Sequence, residues 1–381
     1  MEPKIRFKGF EGEWRNLSIT EIASLKAGKN FNKLDAIDKP TVGYYPCYGG
    51  NGQRGYLPYY NQEGKYNIIG RQGALCGCIN VAEGKFYATE HAVIVTPINV
   101  SDFEFLHESL IRANINQYAT GAAQPGISVT NVNSQLSLNY PIYEEQKAIG
   151  KYFTSLDSQI SASTSRLASL KQMKAASLQA MFPQEGETVP KIRFKGFEGE
   201  WKKVKADSIF KTFNEKNRPD LPVLSATQDR GMVTRESIGY NIFHDTSNEA
   251  TYKHILPGQF VIHLRSFQGG FAHSEIEGIA SPAYTIMDFK NKDLYHDYYW
   301  RYVFMSKEFI KRLELITYGI RDGRSISYDE FKEMSFLVPS KEEQIKIASY
   351  LKNLDRQISL QSQRLEKLKQ IKSACLDKMF V

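Results

Sequence analysis

The chain has 381 residues, 41% of them hydrophobic and 24% charged, with a net charge of +7 and a pI near 8.9. That length suggests more than one domain; the composition is that of an ordinary globular protein, and the charge permits an anionic partner without demanding one. No run of 18 apolar residues occurs, so no transmembrane helix is expected, the start Met1-Glu2-Pro3-Lys4 has no signal-peptide core, and four cysteines at 47, 76, 78 and 375 form no disulfide framework, which points to the cytoplasm.

In chain order, the first feature is a repeat. Pro3 to Trp14 reads PKIRFKGFEGEW, and Pro190 to Trp201 repeats those twelve residues at an offset of 187. Between them lies a body rich in turns and β-formers. Gly43-Tyr44-Tyr45-Pro46-Cys47-Tyr48-Gly49-Gly50-Asn51-Gly52 is dense in aromatics and turn residues. Lys65–Gly70 reads as a strand leading into Arg71-Gln72-Gly73, and Lys85–Thr89 and Ala92–Val95 read as further strands. A helix is expected from Phe103 to about Tyr118, then a polar loop, Thr120-Gly121-Ala122-Ala123-Gln124-Pro125-Gly126-Ile127-Ser128.

Pro141 precedes a long heptad pattern. Ile149, Phe153, Leu156, Ile160, Ser163, Leu167, Leu170, Lys174, Ser177 and Met181 alternate at spacings of four and three, which predicts a helix seeking a partner helix. Residues 183–189 are a short polar linker. The second body echoes the first: Phe260–Leu264 leads into Arg265-Ser266-Phe267-Gln268-Gly269-Gly270, Ala283–Met287 reads as a strand, Tyr295–Leu315 as helix, and Tyr318 to Ser327 is the loop carrying Arg321 and Arg324. A second heptad run then follows Pro339, from Ile347 to Met379. Glu144–Phe182 and Glu342–Phe380 match at 20 of 39 positions. Ser340 followed by Glu343 spells a capping box.

The sequence carries no recognisable catalytic motif. Gly50-Asn51-Gly52-Gln53-Arg54-Gly55 spells GxGxxG, but a dinucleotide site requires a helix next, and Tyr56-Leu57-Pro58-Tyr59-Tyr60 starts one poorly. There is no Walker A loop, HExxH, GxSxG or Asn/Asp-Pro-Pro-Tyr. Cys76-Gly77-Cys78 lacks a second ligand pair at zinc spacing. His91 beside Glu90, and His263 near Arg265, read better as strand-end polar residues or binding contacts than as catalysts. No catalytic residue, metal site or cofactor is expected in this chain.

The pattern is therefore body, helix, body, helix. If the helices pair antiparallel, the result is pseudo-two-fold, with a body at each end of a rod of about 58 Å at 1.5 Å per residue. One turn of duplex DNA is about 34–36 Å, so such a pair suits an extended partner touched twice.

This order resembles the specificity subunit of type I restriction–modification enzymes. The resemblance rests on Phe-x-Gly-Phe-Glu-Gly-Glu-Trp at 7–14 and 194–201, on the Gly121–Ser128 loop, on Pro141-x-x-Glu144-Glu145-Gln146-x-x-Ile149, and on Leu156-Asp157-x-Gln159-Ile160 with its counterpart Leu354-Asp355-x-Gln357-Ile358. It covers nearly the whole chain. The second loop departs, with Gly319-Ile320-Arg321-Asp322-Gly323-Arg324 in place of Gly-Ala-Ala-Gln-Pro. The resemblance implies an α+β fold of two pseudo-symmetric mixed target recognition domains (1–142 and 183–339) separated by a pair of long antiparallel coiled-coil helices (143–182 and 340–381). It also implies that each domain reads one half of a bipartite, asymmetric site in double-stranded DNA. The helices would set the spacing and dock two methyltransferase subunits, and restriction/translocase subunits would complete the complex. S-adenosylmethionine, ATP and magnesium would belong to those partners, and this subunit would not be an enzyme.

Base readout favours Arg on guanine and Asn or Gln on adenine. Arg71 and Gln72, and Arg265 and Gln268, stand at strand ends beside Gly-rich turns and are the first candidates; the plainer reading of Arg71 and Arg265 is a structural ion pair. Gln124, Arg321 and Arg324 in the two loops come next. Tyr48, Asn51 and Arg54 suit phosphate or sugar contact, and Lys29, Lys33 and Lys216 are generic phosphate candidates. The polar seam pairs Ser163/Gln361 and Lys174/Lys372 are expected to set helix register. The competing classes are a self-sufficient DNA-modifying enzyme and a coiled-coil adaptor with two protein-binding heads.

Overall fold

A computed structural model describes residues 2–73, 75–98, 100–121, 125–227, 230–238, 246–263, 270–316 and 327–381. The chain folds into two compact units: Met1–Ser165 with Gln363–Val381, and Arg166–Ser362. Each unit holds one body, the start of one long helix and the end of the other.

In the first unit β1 (Arg15–Ser18), the one-turn α1 (Ile19–Ile22) and β2 (Ala23–Ala27) lead into β3 (Tyr45–Gly49), β4 (Gly52–Leu57), β5 (Gln62–Gly70), β6 (Ile79–Ala88) and β7 (Ala92–Pro97). β2 to β7 form a six-stranded sheet in the order β2-β7-β5-β6-β3-β4. It is antiparallel except where β3 runs parallel to β6. The GxGxxG run turns this β3–β4 hairpin at Gly50-Asn51, and a strand follows rather than a helix. The expected helix after the sheet is two pieces: α2 (Phe103–Arg112), capped by the Asp102 carboxylate on Phe105 N, and a 3-10 turn at Ile115–Tyr118. Asn114, with φ +48, breaks the run. α3 (Val129–Gln135) and β8 (Ser137–Tyr140) follow, and β8 pairs with β1 to bring both ends of the body to the foot of α4 (Tyr143–Ala180).

The second unit repeats this frame. β9 (Lys202–Lys205) and the short α5 (Ala206–Ile209) open it. β10 (Phe210–Phe213), β11 (Leu224–Thr227), β12 (Gly231–Thr234), β13 (Lys253–Ile255), β14 (Phe260–Ile262), β15 (Phe271–His273), β16 (Gly278–Ala280) and β17 (Thr285–Phe289) give a four-stranded sheet, β10-β17-β14-β15, and two ribbons, β11-β12 and β13-β16. The expected helix over Tyr295–Leu315 is α6 (Asp297–Met305) and α7 (Lys307–Ile316), parted where Ser306 is extended. The Ser306 hydroxyl then accepts from Phe309 N at 3.2 Å and restarts the helix. α8 (Tyr328–Glu333) and β18 (Ser335–Val338) lead to α9 (Lys341–Met379), with β18 paired to β9 as β8 is to β1.

The repeated sequence motifs turn out to be one device made twice. The Arg6 guanidinium donates from Nε and Nη2 to the Glu145 carboxylate at 2.7 and 2.8 Å, and from Nη1 to Gly12 O. Arg193 does the same to Glu343 and Gly199 O. Gln146 Nε2 donates to Val100 O and Pro141 O while its Oε1 accepts from Asp102 N. Gln344 does so with Leu294 O, Pro339 O and His296 N. The Glu-Glu-Gln head of each long helix thus locks the opening segment and the first helix of the body behind the sheet to its first turn. The capping box at Ser340 is half made for this reason: its Oγ accepts from Glu343 N at 3.3 Å, but Arg193 takes the Glu343 carboxylate that would complete it.

Within each unit the helix segments run antiparallel. In the first, Tyr152 meets Cys375 and Asp157 meets Lys372; in the second, Ser177 meets Tyr350 and Lys174 meets Asp355. The seam lysines are therefore partners of the Leu-Asp-x-Gln-Ile aspartates. A third group from the body joins each pair: Glu108 of α2 accepts from Lys372 Nζ at 3.0 Å, and Tyr302 of α6 donates to Asp355 at 2.7 Å. The helix ends are anchored by aromatics. Phe380 stacks on Phe105 and meets Trp14 and Phe153 in the first unit; Phe182 meets Trp201 and Tyr299 in the second.

Candidate nucleic-acid interface

The first unit gathers three separated stretches at one end of its sheet. β5 ends at Gly70, and Arg71–Gly73 continues beside the β3–β4 turn. The loop preceding α3 is laced to this segment: Ile127 N donates to Arg71 O at 2.8 Å, Gly73 N to Pro125 O at 3.3 Å, and Gln72 bridges Gly126. Arg71 braces the same place. Its Nε donates to Ile127 O at 3.1 Å and its Nη1 to Glu90 O at 3.3 Å, so the guanidinium ties the loop and the β6–β7 turn to the end of β5.

The floor is glycine because backbones touch there. A Cβ on Gly50 would lie 2.3 Å from Gln72 O, and one on Gly70 would lie 2.0 Å from Gly50 O. Any side chain at either position would drive the hairpin away from the Arg71–Gly73 segment. Over this floor opens a cleft of about 380 Å³ lined by Gly49, Gly50, Asn51, Arg54, Gln72, Gly73 and His91. Asn51 and Arg54 are exposed, and Gln72 is half-buried. The guanidinium carbon of Arg54 lies over the Phe31 ring at 5.4 Å, a cation–π contact, while the residue as a whole stays exposed. His91 Nε2 meets the Glu90 carboxylate at 3.2 Å. Lys29 is exposed near the rim, its backbone bridged to Thr89.

Of the residues singled out from the sequence, Asn51, Arg54 and Gln72 come together here, and Arg71 stands behind them as a brace. Tyr48 is half-buried, packed edge-on against Phe86 at 5.5 Å, and burial raises its phenol above the ordinary tyrosine range. It supports the strand that carries the turn. Gln124, Arg265, Gln268, Arg321 and Arg324 lie outside the described residues. His91, read from the sequence as a strand-end polar residue or binding contact, also lines the cleft, held in the β6–β7 turn where its O accepts from Arg71 N at 2.8 Å. Among the described residues no group of three or more His, Cys, Asp or Glu is placed to hold a metal ion. No described helix is long and apolar enough to cross a membrane.

Two like units, each a sheet-bearing body clamped to a long helix, with an open polar cleft on the first, define a duplicated binding module. The family described as type I restriction modification DNA specificity domain matches residues 11–172 and again 198–370, and the chain belongs to it, with two copies of the domain. The specificity subunit of the type I restriction enzyme EcoprrI from Escherichia coli is 38% identical over 154 residues, a match covering 40% of this chain and 38% of that protein. The chain therefore spans well under half of that relative in the match. The crystal structure of a type I restriction–modification system S subunit from M. genitalium superposes with a TM-score of 0.71 at 16% identity, over 100% of this chain and 99% of that one, and so shares its fold. An HsdS subunit from Thermoanaerobacter tengcongensis aligns over 98% of both chains at 15% identity with a TM-score of 0.45.

Proposed function

We propose that the chain is the sequence-reading subunit of a type I restriction–modification complex. Each body reads one half of a bipartite, asymmetric site in double-stranded DNA, and the long helices set the gap between the halves and dock two methyltransferase subunits. Adenine-N6 methylation and restriction are then carried out by partner subunits, which bring S-adenosylmethionine, ATP and magnesium; this chain supplies the address. The observation that carries the reading is the glycine-floored cleft. Its side chains Asn51, Arg54 and Gln72 are of the types that read purine edges in the major groove, and they are brought from separate segments onto one exposed surface.

On this reading Asn51, Arg54 and Gln72 contact DNA in the first half-site, and Arg71 positions them. Gln124 is a further candidate for the first half-site, and Arg265, Gln268, Arg321 and Arg324 are candidates for the second. The test is to map methylated adenines in a host with and without this chain. A split motif should appear only with it. A complex with methyltransferase subunits that gains no sequence preference would instead favour a protein-binding adaptor.

A further inference from the structure

The Cys76-Gly77-Cys78 run lies in the connection from β5 to β6 and is laced to the end of β5. Gly77 N donates to Gly70 O at 2.7 Å, and Gly70 N donates to Cys78 O at 2.9 Å. Gly77 turns with φ +87, and a Cβ there would lie 2.5 Å from Asn116 N, so the run has a fixed place. It lacks the partners of a metal site, yet both of its thiols are engaged.

Each thiol donates to a backbone carbonyl of a segment at the cleft. Cys78 Sγ donates to Gly50 O at 3.4 Å, in the β3–β4 turn that presents Asn51 and Arg54. Cys76 Sγ donates to Arg71 O at 3.3 Å, next to Gln72. Asn80 Nδ2 donates to Cys78 Sγ at 3.3 Å, which occupies the sulfur as acceptor and leaves its hydrogen for Gly50 O. Cys76 is buried and Cys78 half-buried. Burial raises the Cys76 thiol above the ordinary cysteine range and so keeps its hydrogen in place. The two ties are not equal. Arg71 O also accepts from Ile127 N at 2.8 Å, whereas Cys78 reaches the reading turn itself. The sulfur is closely fitted there, since a Cβ on Gly70 would lie 2.8 Å from it. Glycine contact between Gly50 and its neighbours limits how near the segments come but does not draw them together; the Cys78 hydrogen bond does.

We propose that Cys78, oriented by Asn80, is a positioning residue for base reading in the first half-site. Through Gly50 O it holds the β3–β4 turn against the Arg71–Gly73 segment and so sets where Asn51 and Arg54 meet the DNA. The proposal rests on the functional reading above. Cys76 supports Gln72 in the same way, with Ile127 N sharing the work. The second body, residues 183–339, contains no cysteine, so the second half-site is an internal control.

The test places two pairs of substitutions in the full chain: Cys78→Ala against Cys78→Ser, and Cys78→Val against Cys78→Thr. Within each pair the shapes are close and one member keeps a donor. Two readings are taken: hydrogen exchange of the β3–β4 turn in the chain free of DNA, and base discrimination in each half-site by the complex assembled with methyltransferase subunits. Loss of a weak S–H···O bond corresponds to a change of about 2- to 5-fold. Cys78→Ala and Cys78→Val should therefore speed exchange at the turn, and reduce discrimination in the first half-site, by about that factor. The second half-site should stay unchanged, and Cys78→Ser and Cys78→Thr should lie closer to wild type. If one pair fails to fold, the other decides. Donor-bearing and donor-less members that behave alike would make Cys78 a packing residue and overturn the proposal. So would faster exchange spread over the whole unit, or equal losses in both half-sites. A wild-type complex with no base preference overturns the functional reading, and the proposal with it; that outcome is told apart because it appears before any substitution.

Discussion

Arg6→Ala is the substitution that most sharply tests how the units are clamped. Glu145 has a fully buried side chain, and its carboxylate takes two charge-assisted hydrogen bonds from Arg6. Removing the guanidinium leaves that carboxylate buried without its counter-ion, which costs about 3–5 kcal/mol. The carbonyls of Gly12 and Glu11, which Arg6 also serves, are exposed and regain water, so they add little. For a unit of this size each kcal/mol moves the midpoint by about 2–4 °C, so thermal unfolding should shift by about 10 °C. Arg193→Ala is an internal replicate, because Glu343 is equally enclosed. Arg6→Met combined with Glu145→Leu should recover most of the loss, since no charge is then left in the interior. Calorimetry or urea titration of these three variants beside the wild type decides it. A loss below about 1 kcal/mol for Arg6→Ala, the range of exposed surface pairs, would refute the clamp.

Three more outcomes are expected. Burial raises the Glu108 carboxyl to about 7, with Lys372 pulling the other way, so the folded state binds this proton more tightly than the unfolded chain. Its stabilising contribution is complete below about pH 4.5 and is lost as pH rises through about 7, up to about 3 kcal/mol in all; Glu108→Gln should flatten that part of the stability–pH curve, and an unchanged slope between pH 5 and 8 would contradict it. Gly50→Ala should cost about 2 kcal/mol or more by pushing a methyl into Gln72 O, and it should weaken DNA binding, read by calorimetry and by gel shift of the assembled complex. Arg54→Ala should relax one base position of the first half-site by about 1–3 kcal/mol and leave the second half-site unchanged in methylation maps.

The long helices were legible because a heptad period is a local signal: Ile149, Phe153 and Leu156, and Ile347, Leu351 and Leu354, are all buried. The failure of GxGxxG as a nucleotide loop was legible too, from Pro58 and the tyrosines that follow it. What could not be read is anything that depends on pairing distant segments. Arg6 and Glu145 are 139 residues apart, so the opening motif and the Glu-Glu-Gln motif look independent in sequence although they are two halves of one clamp. The capping box fails for the same reason, because Arg193 outcompetes the helix end for Glu343. Arg71 has the sequence context of an outward arginine, yet carbonyls of Ile127 and Glu90, distant in sequence, hold two of its nitrogens. The convergence of Asn51, Arg54, Gln72 and His91 on one cleft follows from strand order and from glycine contacts between neighbouring turns, and no periodicity announces either.

The central claim is that each body reads its own half of a DNA site. The most direct measurement replaces residues 15–140 with the corresponding body of another family member, keeps both long helices and the second body, and maps adenine methylation in a host supplying the partner subunits. One half of the methylated motif should change while the other half and the spacing between them persist. A motif that changes in both halves, or in neither, would contradict the account.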